Sequence, residues 1–190
     1  MTDIWDASDK RLYEACLTTI TRFVREHSDA EVCSFFFDCD DPCYGHMSIS
    51  LDTLENNIRT TIELERFAIE NRQKNLSGEI AWQSAQYQLG TPTLSPFNTN
   101  SGDFEFQGYA EVEFPAWIEL AEKGSYPRSE EHEDDYLESN ARLVMWRVAE
   151  QLVADAVFAD LKLASPFMVG YSLHDQEEVL LRLLNWPKTA

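Results

Sequence analysis

Two β-forming runs separated by only six residues set the tightest constraint on this chain. Residues 31–37 read Glu-Val-Cys-Ser-Phe-Phe-Phe, and residues 44–51 alternate Met47, Ile49 and Leu51 against His46, Ser48 and Ser50. A period of two predicts a strand with one face on a core and the other toward water. The link from Asp38 to Cys43 holds Asp40, Asp41 and Pro42. A parallel pair needs a crossover of about a dozen residues or more, so this link predicts an antiparallel hairpin.

Helical periods flank the hairpin. Leu12, Cys16, Ile20 and Phe23 recur at three- and four-residue spacing and predict a helix over 8–25, with Ser8 or Asp9 as its cap. Asp52, with Glu55 three residues on, predicts the capped start of a second helix running to about Lys74, its buried stripe being Leu54, Ile58, Ile62 and Ile69. Residues 104–114 read as a third strand, and Pro115 suits the first turn of a short helix over 116–122. The strongest helical period covers 129–163, ended by Ser165-Pro166. A fourth strand over 167–173 and a terminal helix over 176–185 follow. The expected fold is α+β: one domain, 1–190, with a single mostly antiparallel sheet of about four strands packed against helices. Val32, Phe36, Met47, Ile49, Leu143, Val148 and Leu152 are expected to share one core.

Charge narrows the function. The 34 acids against 15 bases give a net charge of −19, while 44% hydrophobic content argues for a packed core rather than disorder. A binder of nucleic-acid phosphates needs the opposite sign, so direct nucleic-acid binding is not expected. No run of about 18 apolar residues predicts a membrane span, and the start of the sequence lacks the pattern of a signal peptide, so a cytoplasmic chain is expected. Residues 101–140 carry 12 acids and 2 bases, just over half of the net charge. Glu130, Glu131, Glu133, Asp134, Asp135 and Glu138 form the densest part. A helix start tolerates such a run through its dipole, and a solvated run is its plainest reading. A face matched to a basic partner is the functional one.

Motifs with chemical content are few. Phe35-Phe36-Phe37-Asp38-Cys39-Asp40-Asp41 resembles the first motif of haloacid-dehalogenase-type phosphatases, in which Asp38 would be nucleophile and Asp40 acid/base. It also resembles the metal-binding Asp-x-Asp of some glycosyltransferases. The phosphatase pattern wants Thr or Val where Asp41 stands, and a crossover helix where a hairpin is predicted. Cys33, Cys39, Cys43 and His46 offer three thiolates and an imidazole for zinc, but without a CxxC pair. Buried free cysteine more commonly serves as a small hydrophobe. The four histidines are scattered, and no Gly-rich phosphate loop is present. Trp82 and Trp117 fall in irregular regions where an aromatic side chain can anchor an interface.

The order of elements resembles a group of small acidic bacterial domains found beside polymorphic-toxin genes. The resemblance runs through residues 35–56, ending in Leu-Asp-Thr-Leu-Glu-Asn, through Phe114-Pro115-Ala116-Trp117, and through the long helix before 167–175 and the closing Leu-Leu-Asn. It implies an immunity protein that binds and silences a cognate toxin, and it supplies no active-site residues. The expected function is therefore non-enzymatic: occlusion of a toxin's basic cleft, without metal or cofactor, by Asp38, Asp40 and Asp41 together with Glu130, Glu131, Glu133, Asp134 and Asp135. A nucleic-acid mimic acting on a DNA-binding protein, and a metal-dependent phosphatase-like enzyme using Asp38 and Asp40, are the alternatives.

Overall fold

A computed structural model describes residues 4–77, 98–124, 135–173 and 179–184. β1 (Val32–Cys39) and β2 (His46–Thr53) form the expected antiparallel hairpin, with Phe37 opposite Ile49 and Asp38 opposite Ser48. Pro42–Tyr44 make a single 3-10 turn between them, and Asp41 accepts the Cys43 N–H at 2.8 Å to cap it. Gly45 leaves this turn at φ 61°, where a Cβ would stand 2.7 Å from the Phe114 carbonyl oxygen. The position demands glycine on both counts.

Among the described residues the sheet has five strands, in the order β3-β2-β1-β4-β5. β3 (Phe106–Glu113) pairs antiparallel with β2, and β4 (Leu163–Leu173) pairs parallel with β1. β5 (Val179–Leu184) pairs antiparallel with β4 at the other edge. The sheet is thus mixed, with one parallel pairing among four.

α1 (Ile4–Glu26) and α4 (Asp135–Ala154) cover one face of this sheet. There Leu12, Ile20, Phe35, Phe37, Ile49, Val148 and Leu152 pack into the main core. α3 (Pro115–Lys123) opens with Pro115 in its first turn and adds Trp117, which is fully buried. Trp117 stacks on Phe114 at 4.2 Å between ring centroids, and its Nε1–H donates to Ser8 Oγ. Trp117 is therefore a core residue rather than an interface anchor, and Ser8 lies inside α1 rather than capping it. Trp82 lies outside the described residues.

The opposite face carries a smaller cluster of Phe36, Phe104 and Met168. Beside it sits Asp52, with no exposed surface. Its Oδ1 accepts from the Thr53 N–H, the Glu105 N–H and the Asn56 side-chain amide at 2.7–3.1 Å, and its Oδ2 from the Asn57 amide at 2.9 Å. Asn57 in turn exchanges two hydrogen bonds with the backbone of Asn98. This clasp ties the end of β2, the start of α2 (Leu54–Leu76) and residues 98–105 together. Asp52 is thus not the helix cap; Thr53 Oγ1 takes that place by accepting the Asn56 N–H.

Four further expectations need correction. The helical period of 129–163 ends at Ala154, because Ala156 turns left-handed at φ 53° and Val157–Asp160 continue as a 3-10 turn. That turn places Phe158 against Phe35 and Phe167 in the core. The expected terminal helix of 176–185 contains β5 instead: Leu180, Leu183 and Leu184 have helical spacing, but so short a run does not hold a helix by itself, and the edge of β4 offers it a ladder of hydrogen bonds. Leu143 is exposed on α4, whose inward side is formed by Leu137, Val144, Met145, Val148 and Leu152, and Phe36 faces away from the main core. Ile58, Ile62 and Ile69 are exposed on α2, with Leu54 half-buried. The polar contacts of its first turn and the buried Ala68, rather than its isoleucines, mark the inward side of that helix.

Candidate functional site

Strand register brings four side chains from four strands into one row on the second face. Asp38 of β1 lies between Ser48 of β2 and Ser172 of β4, and Glu111 of β3 stands beyond Ser48. Residues opposite one another in a sheet present their side chains to the same face about 5 Å apart. The row floors a cleft of about 570 Å³, joined by Asp40 and His46 at the hairpin end and by Ser101, Gly102, Gln107 and Gly108 on the far wall. Three carboxylates line it, and among the described residues neither lysine nor arginine does.

The cleft is held in shape from below. Ser50 Oγ donates to Asp38 Oδ2 and itself accepts the Gly108 N–H at 2.9 Å. Gly108 interrupts β3 at φ 58°, a left-handed conformation that glycine adopts without penalty. The wall formed by Ser101 and Gly102 hangs from the Asp52 clasp, because Asn56 donates to the Asp103 carbonyl at 2.9 Å. A partly buried carboxylate fixed in this way, with two more on the rim, favours a cation such as an ammonium or guanidinium group.

Of the predicted contact residues, Asp38 is half-buried and Asp40 exposed, and both line the cleft. Asp41 does not line it; its carboxylate is engaged in the cap described above. Asp135 opens α4, but its side chain lies outside the described residues, as do Glu130, Glu131, Glu133 and Asp134 altogether. The start of α4 does approach the hairpin. Glu138 acts on Cys39 electrostatically together with Asp38, Asp40 and Asp41, so this end of the molecule gathers acids from two distant parts of the sequence. Glu111 was missed because only the register of β3, not its composition, sets it beside Asp38.

The cysteines do not converge. Cys33 and Cys39 are six residues apart on one strand, which is roughly 20 Å. Among the described residues, no group of three or more His, Cys, Asp or Glu side chains is arranged to hold a metal ion. Cys33 and Cys39 are buried, which pushes each thiol up to about 12, with Asp41 and Asp40 adding to the effect at Cys39. With Cys16, which burial raises as well, the folded chain keeps three protons that the unfolded chain releases above about pH 8.5, so stability falls as pH rises from there toward 12. Each thiol accounts for about 2 kcal/mol lost between pH 8.5 and pH 10. Urea unfolding at pH 8 and pH 10 will show a markedly smaller loss for Cys33→Ala/Cys39→Ala than for the parent chain. Equal losses would mean that neither thiol is shielded as described.

A second cleft, of about 790 Å³, opens at the opposite end of the sheet. Glu26, Asp29, Glu31, Glu55 and Glu105 line it with Lys162, His27, Phe106 and Ile58. Among the described residues, no helix is long and apolar enough to cross a membrane. Comparison with family models, with curated proteins and with solved structures returns no match for this chain.

Proposed function

We propose that this chain is an immunity-type inhibitor that binds a toxin protein and closes its basic active-site cleft with an acidic face. The observation that carries the reading is the row Ser172-Asp38-Ser48-Glu111 with Asp40 at its end: three carboxylates in one concave site with neither lysine nor arginine among its described lining residues. A basic side chain entering it meets a carboxylate already oriented by Ser50, so little ordering is left to be done on binding. The hairpin also favours binding over phosphatase-like chemistry. Asp38 sits on a strand that returns antiparallel within a few residues, not on one leading into a crossover helix.

The test is equilibrium binding of the purified chain to the purified product of the gene next to its own. Asp38→Asn/Asp40→Asn/Glu111→Gln will weaken binding by at least about tenfold, which is about 1.4 kcal/mol. Asp41→Asn, which keeps a side chain able to cap, will change it far less. Failure of the parent chain to bind, or equal binding by the triple variant, overturns the reading.

A further inference from the structure

We propose that the outer edge of β3 takes up an extended segment with basic side chains at alternate positions, which pairs with it as an added strand. This rests on the reading of the acidic cleft and gives the proposed toxin partner the element that enters it. Bonded and unbonded residue pairs alternate along an antiparallel ladder. The Phe114 N–H donates to the Gly45 carbonyl at 2.6 Å, so the register makes Val112–Met47 and Ala110–Ile49 the bonded pairs. Glu111 and Glu113 therefore turn their own N–H and C=O groups outward, away from β2. Both residues are exposed, and among the described residues no hydrogen bond reaches those groups. The same alternation turns Tyr109 outward, and there the carbonyl accepts from Arg22 Nη2. The guanidinium also lies 4.1 Å from the centroid of the Tyr109 ring. A basic side chain of α1 thus covers the edge at Tyr109 and leaves 111–113 open.

Charge decides what pairs there. Glu111 and Glu113 carry their carboxylates on the cleft side of the sheet, Glu111 beside Ser48 and Glu113 beside His46. A second copy pairing through the same open stretch sets glutamate against glutamate in either direction, and like charges directly opposite are destabilising. The net charge of −19 on each copy adds to that repulsion. Charged side chains and the left-handed Gly108 are the usual guards of an edge against self-pairing. They offer no defence against a strand of opposite sign. Basic side chains of such a strand, placed opposite Glu111 and Glu113, stand about 5 Å from them. The one opposite Glu111 is also at the end of the row that leads to Asp38. The residue between them turns to the side of Ala110 and Val112, where an apolar side chain fits. The edge therefore reads a basic–apolar–basic segment in extended form, through its backbone and through alternate side chains.

The probe is the peptide acetyl-Thr-Arg-Val-Arg-Thr-amide, added to the full chain at low ionic strength while amide hydrogen exchange is followed residue by residue. At saturation the Glu111 and Glu113 amides will exchange at least about tenfold more slowly. Those of Ala110 and Val112, already bonded to β2, will not change. The same peptide N-methylated at its three central residues keeps its charges but cannot donate, and it will bind at least about tenfold more weakly. Glu113→Gln, at an exposed position outside the cleft lining, will weaken the unmethylated peptide as well. Absence of binding, equal binding by the methylated peptide, or binding that leaves both amides unprotected overturns the proposal. Slowing that grows with the concentration of the chain alone gives the edge to a second copy and overturns it too. The cleft reading fails separately, in the binding test with the neighbouring gene's product. If that product binds and leaves the Glu111 and Glu113 amides unprotected, the cleft stands and the edge pairing falls.

Discussion

Trp117→Ala will lower the unfolding free energy by about 3–5 kcal/mol, the usual cost of emptying a fully buried aromatic site. The indole has no exposed surface, stacks on Phe114, meets Trp5 at 5.6 Å between ring centroids and donates to Ser8. It therefore joins α1, α3 and the end of β3 at one point, and neither helix can settle into the void without leaving the sheet. For a chain of this size the loss corresponds to a fall in Tm of roughly 10 °C. Trp117→Phe keeps the stack and gives up the hydrogen bond, so its loss will be no more than about half as large. Thermal or urea unfolding of the two variants checks the order. Equal losses would show that the hydrogen bond, not the packing, holds the site.

Asp52→Ala is expected to be the second severe change, at about 4 kcal/mol or more. Four donors converge on this carboxylate, and leaving buried donors without partners costs about 1–3 kcal/mol each. Asn56 and Asn57 then lose the group that orients them, and with it the hold on Asn98 and Asp103. The effect reaches the cleft, since Ser101 and Gly102 form its far wall. Asp52→Asn will lose less, because one of its terminal atoms still accepts while the other must face a donor. Hydrogen exchange supplies the readout that separates wall from core. In Asp52→Ala, amides of 98–105 will lose protection more than those of β1, and a uniform loss would contradict the clasp.

These two residues also show how far the sequence could be read. The hairpin was legible because its evidence is local: a six-residue link and an alternation that fixes which side chains share a face. Pro115 announced α3 for the same reason. β5 was not legible, because the spacing of Leu180, Leu183 and Leu184 in Val-Leu-Leu-Arg-Leu-Leu suits a helix, and only the edge of β4 decides that it pairs as a strand. The helical period of α2 was read correctly, but a period does not say which side is inward, and Ile58, Ile62 and Ile69 point outward. Asp52 looked like a cap because it precedes a helix. Its four donors come partly from Glu105, 53 residues away, which no local pattern reveals. In the cleft, Asp38 and Asp40 were found by their types and spacing, whereas Glu111 needed the register of a third strand.

The account of function rests on the acidic cleft, and its field should be visible in the rate of encounter. Rim carboxylates speed association through long-range attraction that salt screens, while a desolvated ion pair controls dissociation. The direct measurement is stopped-flow association of the chain with the proposed toxin partner, the product of the neighbouring gene, at low and at physiological ionic strength. The rate for the parent chain will fall steeply with salt. Asp38→Asn/Asp40→Asn/Glu111→Gln will associate about tenfold more slowly at low salt and show a flatter dependence. Association and dissociation rates that are the same for both proteins at both ionic strengths would contradict the acidic-cleft account.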